Sequence, residues 1–104
     1  MKTLSAEELN NWNKDKKQFQ LIDIREIYEV EAGTLGGKHI PMDEILSRTN
    51  ELSKDIPVVL HCNSGKRSDA VVYALEHKFG FKNLYSLEGG ITAWIEKIDP
   101  SVRK

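Results

Sequence analysis

The sequence predicts an α/β domain, a parallel sheet covered by helices on both faces. Three observations carry that expectation: strand-like runs alternate with helical ones along the whole chain, the run Val58-Val59-Leu60 is continuously apolar and β-branched, and glycines stand where helices should stop. A strand buried on both faces reads as an unbroken apolar run, whereas a strand with one wet face alternates.

Each element has its own signature. Ser5 followed by Glu8 is a capping box, and Leu9 and Trp12 give the helix behind it an apolar face. Phe19 to Ile24 reads as a buried strand whose end turns polar. Arg25 to Glu31 fits about two helical turns, with Tyr28 and Val30 expected inward, before Gly33, Gly36 and Gly37 break the chain in a turn. Lys38 to Pro41 is a brief strand. Asp43 can cap a helix carrying Ile45 and Leu52. Pro57 to Cys62 is the most strand-like segment and is expected at the centre of the sheet, with Pro57 at the first position, where a missing N–H is tolerated. Ala70, Val71, Ala74, Leu75 and Phe79 then fall at helical spacing, and Gly80 stops that helix. Asn83 to Leu87 is a further strand, and Gly89-Gly90 leads into a last helix with Ala93, Trp94, Ile95 and Ile98.

The chain has 104 residues, which suits one domain over 1–104 with a single modest core. Fifteen basic against sixteen acidic residues give a formal net charge of −1, which argues against a general nucleic-acid binder. A single cysteine excludes an internal disulfide, and histidines at 39, 61 and 77 are too scattered for a zinc cluster. The first eight residues are polar where a signal peptide would be apolar, and no segment has membrane-spanning length; a cytoplasmic protein with no membrane partner is expected.

The chemistry is expected where β hands over to α. Ligands of open parallel sheets bind outside the carboxyl ends of the strands, and Cys62 stands there. Asn63, Ser64, Gly65, Lys66, Arg67 and Ser68 form a loop short enough to turn several N–H groups inward as an anion nest. The helix N-terminus and the Lys66 and Arg67 charges favour a thiolate, which is the nucleophilic form of a cysteine. Alone, a cysteine at a strand end is more often a small buried hydrophobe. The polar, cationic loop behind Cys62 outweighs that reading.

Other patterns are weaker. Gly65-Lys66 resembles the end of a phosphate-binding P-loop, but position 60 is Leu60 and Lys66 is followed by Arg67. His61 precedes Cys62 and so points to the opposite face, which makes it structural. His39 reads as a loop residue, His77 as a helix-surface residue and Trp94 as core. The acidic pairs Glu7-Glu8 and Glu29/Glu31 read as solvated faces.

Four ordered segments give a resemblance: Leu21-Ile22-Asp23-Ile24-Arg25-Glu26, His39-Ile40-Pro41, Cys62 to Ser68, and Leu87-Glu88-Gly89-Gly90-Ile91-Thr92-Ala93-Trp94. Together they resemble a single-domain rhodanese, a sulfurtransferase, from about Leu4 to Trp94. Met42-Asp43, where many rhodaneses have Gly-Ala, makes the chain similar to the rhodanese domain of ubiquitin-activating-like adenylyltransferases, which deliver sulfur to small carrier proteins.

The resemblance implies a five-stranded parallel sheet and a Cys62 that accepts a sulfane sulfur as a persulfide. It implies a substrate loop of Asn63 to Ser68 and structural support from Asp23 and Arg25. Thiosulfate or another persulfide is the implied donor, a sulfur-carrier or thiol protein the acceptor, and no metal or organic cofactor is called for. Two other functions compete. A cysteine phosphatase would resemble Cys-x5-Arg, whereas Cys62 to Arg67 is Cys-x4-Arg. A non-catalytic binding or regulatory domain would be marked by loss of the cysteine.

Overall fold

The computed structural model describes residues 1–102. Five strands, β1 (Lys2–Leu4), β2 (Gln20–Asp23), β3 (Lys38–His39), β4 (Val58–His61) and β5 (Leu84–Leu87), form one parallel sheet in the order β1-β5-β4-β2-β3. Four α-helices accompany them: α1 (Ala6–Lys14), α2 (Ile27–Ala32), α3 (Lys66–Phe79) and α4 (Gly90–Lys97). The predicted fold class holds, with β4 in the middle.

Alternation along β4 explains why its sequence is apolar throughout. Val58, Leu60 and the following Cys62 pack into one cluster with Val71, Val72 and Leu75 of α3, while Val59 joins Leu4, Leu9 and Leu87 on the other face. Trp12 of α1 and Trp94 of α4 pack against that second cluster, so each side of the sheet has its helical cover. The expected capping box is formed, with Glu8 N donating to Ser5 Oγ at 3.1 Å and Ser5 N donating to Glu8 Oε1 at 2.9 Å. Gly80 ends α3 at φ 71°.

Three expectations are corrected. The segment behind Asp43 forms two short 3-10 turns, Ile45–Ser47 and Thr49–Glu51, instead of one α-helix. Of the apolar pair that suggested the helix, Ile45 and Leu52 are both buried, but a 3-10 ladder and loop bring them inward equally well. In α2 no residue is buried, and Tyr28 is 70% exposed. Two turns projecting past the end of β2 have no core to meet. Finally β1 is present although Lys2 to Leu4 carry no strand pattern of their own: only Leu4 of the three residues is buried.

The strand order creates a topological switch. After β2 the chain passes to β3 on one side; after β4 it passes to β5 on the other. The carboxyl ends of these two adjacent strands therefore frame a crevice between diverging connections, with Arg25 on one bank and Cys62 on the other.

Candidate active site

Cys62 follows β4 directly and is wholly buried. The chain then turns through Asn63 and Ser64 to Gly65, whose φ of 103° lies in the left-handed region, as expected for a residue that must fold its amide back. Gly65 N donates to Cys62 Sγ at 3.1 Å, and Ser68 N lies 3.4 Å from the same sulfur. The Ser68 hydroxyl is 3.7 Å from Sγ. Two backbone amides at the start of a 14-residue helix thus converge on the sulfur as an N–H nest.

The loop is fixed from beneath by residues that the sequence reading had not assigned to the site. Ile91 N donates to the Cys62 carbonyl at 3.0 Å and Thr92 N to the Asn63 carbonyl at 3.1 Å, so the first turn of α4 holds the floor of the loop. Gly90 makes this approach possible: a Cβ there would lie 2.5 Å from the Cys62 carbonyl oxygen. Ser86, buried in β5, ties that strand to the first turn of α3: its hydroxyl is 2.8 Å from Ser68 Oγ and donates to Asp69 Oδ1 at 2.6 Å. The pair Gly89-Gly90 was the available sequence signal for the first contact; a serine inside a strand offers none for the second.

On the opposite bank, Asp23 and Arg25 form a wholly buried ion pair. Burial alone would raise the Asp23 pKa, but the Arg25 hydrogen bonds and neighbouring charge outweigh it and hold the carboxyl below its usual range. His61 is buried, with Nε2 3.8 Å from Asp23 Oδ2 and directed away from the nucleophile, in keeping with a structural role. Burial lowers its pKa, which favours the neutral ring. His39 lies in the brief strand expected from Lys38 onward and not in a loop: it ends β3, and its Nε2 lies 2.7 Å from the Arg25 carbonyl. His77 is exposed on α3, as expected.

Glu29 requires a larger correction. Its carboxylate is not a solvated face but takes both Arg67 nitrogens, Nη1 at 2.8 Å and Nη2 at 2.9 Å, across from α2 to α3. Those hydrogen bonds, working against partial burial, pull the Glu29 pKa down to about 2. Lys66, by contrast, is exposed and makes no ion pair among the described residues. The two cations that sequence placed together at the loop thus face different surroundings.

A cavity of about 260 Å³ opens beside the loop, lined by Arg25, Tyr28, Glu29, Ala32 and Asn63. A second, of about 240 Å³, lies between Lys54 and the Phe79–Asn83 turn, before β5 rather than beyond the strand ends where Cys62 sits. No group of three or more His, Cys, Asp or Glu side chains able to hold a metal occurs among the described residues. No helix among them is long and apolar enough to cross a membrane.

Comparison with known proteins places this geometry in a family. A solved rhodanese-like domain protein from Staphylococcus aureus superposes with a TM-score of 0.85 at 32% identity, covering 99% of this chain and 97% of that one. The uncharacterized protein YqhL of Bacillus subtilis is 39% identical over 99 residues, 94% of this chain and 75% of the relative. A protein named sulfurtransferase from Allochromatium vinosum is 34% identical over 93 residues, 88% of this chain and 85% of its own. The adenylyltransferase and sulfurtransferase UBA4 of Eremothecium gossypii is 32% identical over 114 residues; the match takes in 97% of this chain but only 26% of that protein. The rhodanese-like domain model matches residues 5–97, and with the parallel sheet and the Cys62 loop already in place, the chain belongs to the rhodanese-like family, a family whose named relatives here point to sulfur transfer.

Proposed function

We propose that this chain, acting as one domain over residues 1–104, is a sulfurtransferase that carries a sulfane sulfur as a Cys62 persulfide. The observation that supports this best is the convergence of Gly65 N and Ser68 N on Cys62 Sγ, at 3.1 Å and 3.4 Å. Hydrogen bonds from backbone amides to an anionic sulfur are charge-assisted and so favour that charge on the sulfur.

The reaction runs in two displacements. The Cys62 thiolate attacks the outer sulfur of thiosulfate; an S–S bond to Cys62 forms, the bond to the sulfonate sulfur breaks, and sulfite leaves with the electron pair. The negative charge now rests on the terminal sulfur of the persulfide, within reach of the amides of Asn63 to Ser68, that is, the turn after β4 and the first residues of α3. An acceptor thiolate then attacks that terminal sulfur and the Cys62 thiolate is released. Sγ has no exposed surface, so attack requires the loop to open far enough to admit one sulfur atom. The persulfide carries the transferable atom ~2 Å further out, which suits a second, larger partner. A small sulfur-carrier or thiol protein is that acceptor in our reading, supported by the likeness to an adenylyltransferase and sulfurtransferase.

Loading the protein with thiosulfate, removing the excess and weighing it should reveal one added sulfur atom on Cys62, discharged by cyanide as thiocyanate. The variant Cys62→Ser should fold normally and accept none. Turnover by that variant would overturn the persulfide mechanism.

A further inference from the structure

We infer that Glu29 sets the donor preference of the Cys62 site: by cancelling the Arg67 charge it disfavours dianionic sulfur donors relative to donors that carry one negative charge. The inference rests on the persulfide reading above and adds a specificity-determining residue to it.

The geometry is a two-pronged pair between elements that otherwise meet little. Glu29 Oε1 and Oε2 accept from Arg67 Nη1 and Nη2 at 2.8 Å and 2.9 Å, and the Arg67 side chain keeps 35% of its surface exposed while Glu29 keeps 16%. Glu29 also lines the cavity that opens beside Asn63, which puts it next to the loop. With its pKa near 2, Glu29 is ionised at every pH at which a thiolate could act.

Counting the charges around the entrance makes the consequence plain. Asn63 and Ser64 are neutral, Arg25 is matched by Asp23, and Arg67 is matched by Glu29, which leaves Lys66 as the cation of the loop without an ion pair among the described residues. A dianion approaching a thiolate meets more repulsion than a monoanion does, and a carboxylate at the rim widens the difference. At an effective dielectric near 20 and with physiological screening, one such charge several ångströms away should change the preference by about three- to tenfold.

The experiment compares thiosulfate, a dianion, with an alkanethiosulfonate, a monoanion that donates the same sulfane sulfur and releases a sulfinate with the electron pair. In Glu29→Gln, whose amide oxygen can still accept from Arg67, the ratio of kcat/KM for thiosulfate to that for the thiosulfonate should rise about three- to tenfold, and the rise should shrink as salt is added. Glu29→Asp, which keeps the charge, should keep the parent ratio even where both rates fall. A parallel loss with both donors in Glu29→Gln, at an unchanged ratio, would make Glu29 a brace for α2 and overturn the inference. An equal change of ratio in Glu29→Asp would assign the effect to shape and overturn it too. If the parent protein takes sulfur from neither donor, it is the persulfide reading that fails, and the Glu29 assignment falls with it.

Discussion

The Arg25 guanidinium closes on the carboxylate of Asp23, two residues earlier in the chain, with Nη2 2.7 Å from Oδ2 and neither side chain exposed. Arg25 Nε and backbone N add bonds to Oδ1 at 2.9 Å and 3.0 Å, and Nη2 also reaches the Gly33 carbonyl at 2.7 Å, so the end of β2 is tied to the end of α2. Removing one partner strands a buried charge. Arg25→Met should cost about 3–5 kcal/mol in urea unfolding, and adding Asp23→Asn should restore much of it. A loss below ~1 kcal/mol would deny the pair its structural role.

The same pair fixes a pH dependence. The folded-state pKa of Asp23 is lowered, so its contribution to stability is full above the unfolded value of about 3.9 and is lost as pH falls through the folded one. Unfolding midpoints measured from pH 6 down to pH 2 should therefore converge for the parent and Asp23→Asn at the acid end. Parallel curves throughout would refute the assignment.

Gly65 should tolerate no side chain. Its φ of 103° strains any L residue, and a Cβ would lie 3.3 Å from Gly89 N. Gly65→Val should cost about 1–3 kcal/mol of stability and abolish persulfide formation, because the amide that bonds Sγ must move. Wild-type loading in that variant would show that the nest is not needed.

Gly90 acts at one remove from the sulfur. A Cβ there would meet the carbonyls of Cys62 and Asn63 at 2.5 Å and 2.6 Å, both backbone atoms that cannot swing aside. Gly90→Ala should push α4 from the loop, lower kcat for sulfur transfer at least tenfold, and remove the slow hydrogen exchange of the Ile91 and Thr92 amides. Retained protection of those two amides would mean that the contact survives by another route.

Lys66 should matter to the donor through charge. It is exposed and free of ion pairs among the described residues, so Lys66→Ala should depress kcat/KM for thiosulfate and flatten its fall with ionic strength. Arg67→Ala, which leaves the Glu29 carboxylate unopposed, should flatten that salt slope as well. Equal slopes in all three proteins would remove Lys66 from the donor's path.

Much of this was legible in the residues. The β4 run, the Ser5 and Glu8 box, and Gly80 each state a local physical requirement, and the loop from Cys62 to Ser68 states a chemical one. What stayed hidden was of two kinds. Ile45 and Leu52 are seven residues apart, a spacing that an α-helix satisfies but two 3-10 turns satisfy as well, and Lys2 to Leu4 becomes a strand only because β5 offers it a partner. The Glu29 to Arg67 pair and the Ser86 link to Ser68 join positions 38 and 18 apart in sequence, and periodicity reports on neighbours along one element, not on which elements meet.

One property of the sheet also governs when it can form. β1 has a single neighbour, β5, and its register sets Lys2 opposite Tyr85, Thr3 opposite Ser86 and Leu4 opposite Leu87. Glu88 N then donates to the Leu4 carbonyl at 2.8 Å. As the chain leaves the ribosome, its first strand has nothing to pair with until its last strand has been made. Closing a loop of that length carries a large entropic cost before any contact repays it. Within this domain β1 is thus made well before its partner and is among the latest elements to reach its native place, and Cys62 acquires its floor, from α4, only after β5 has been made.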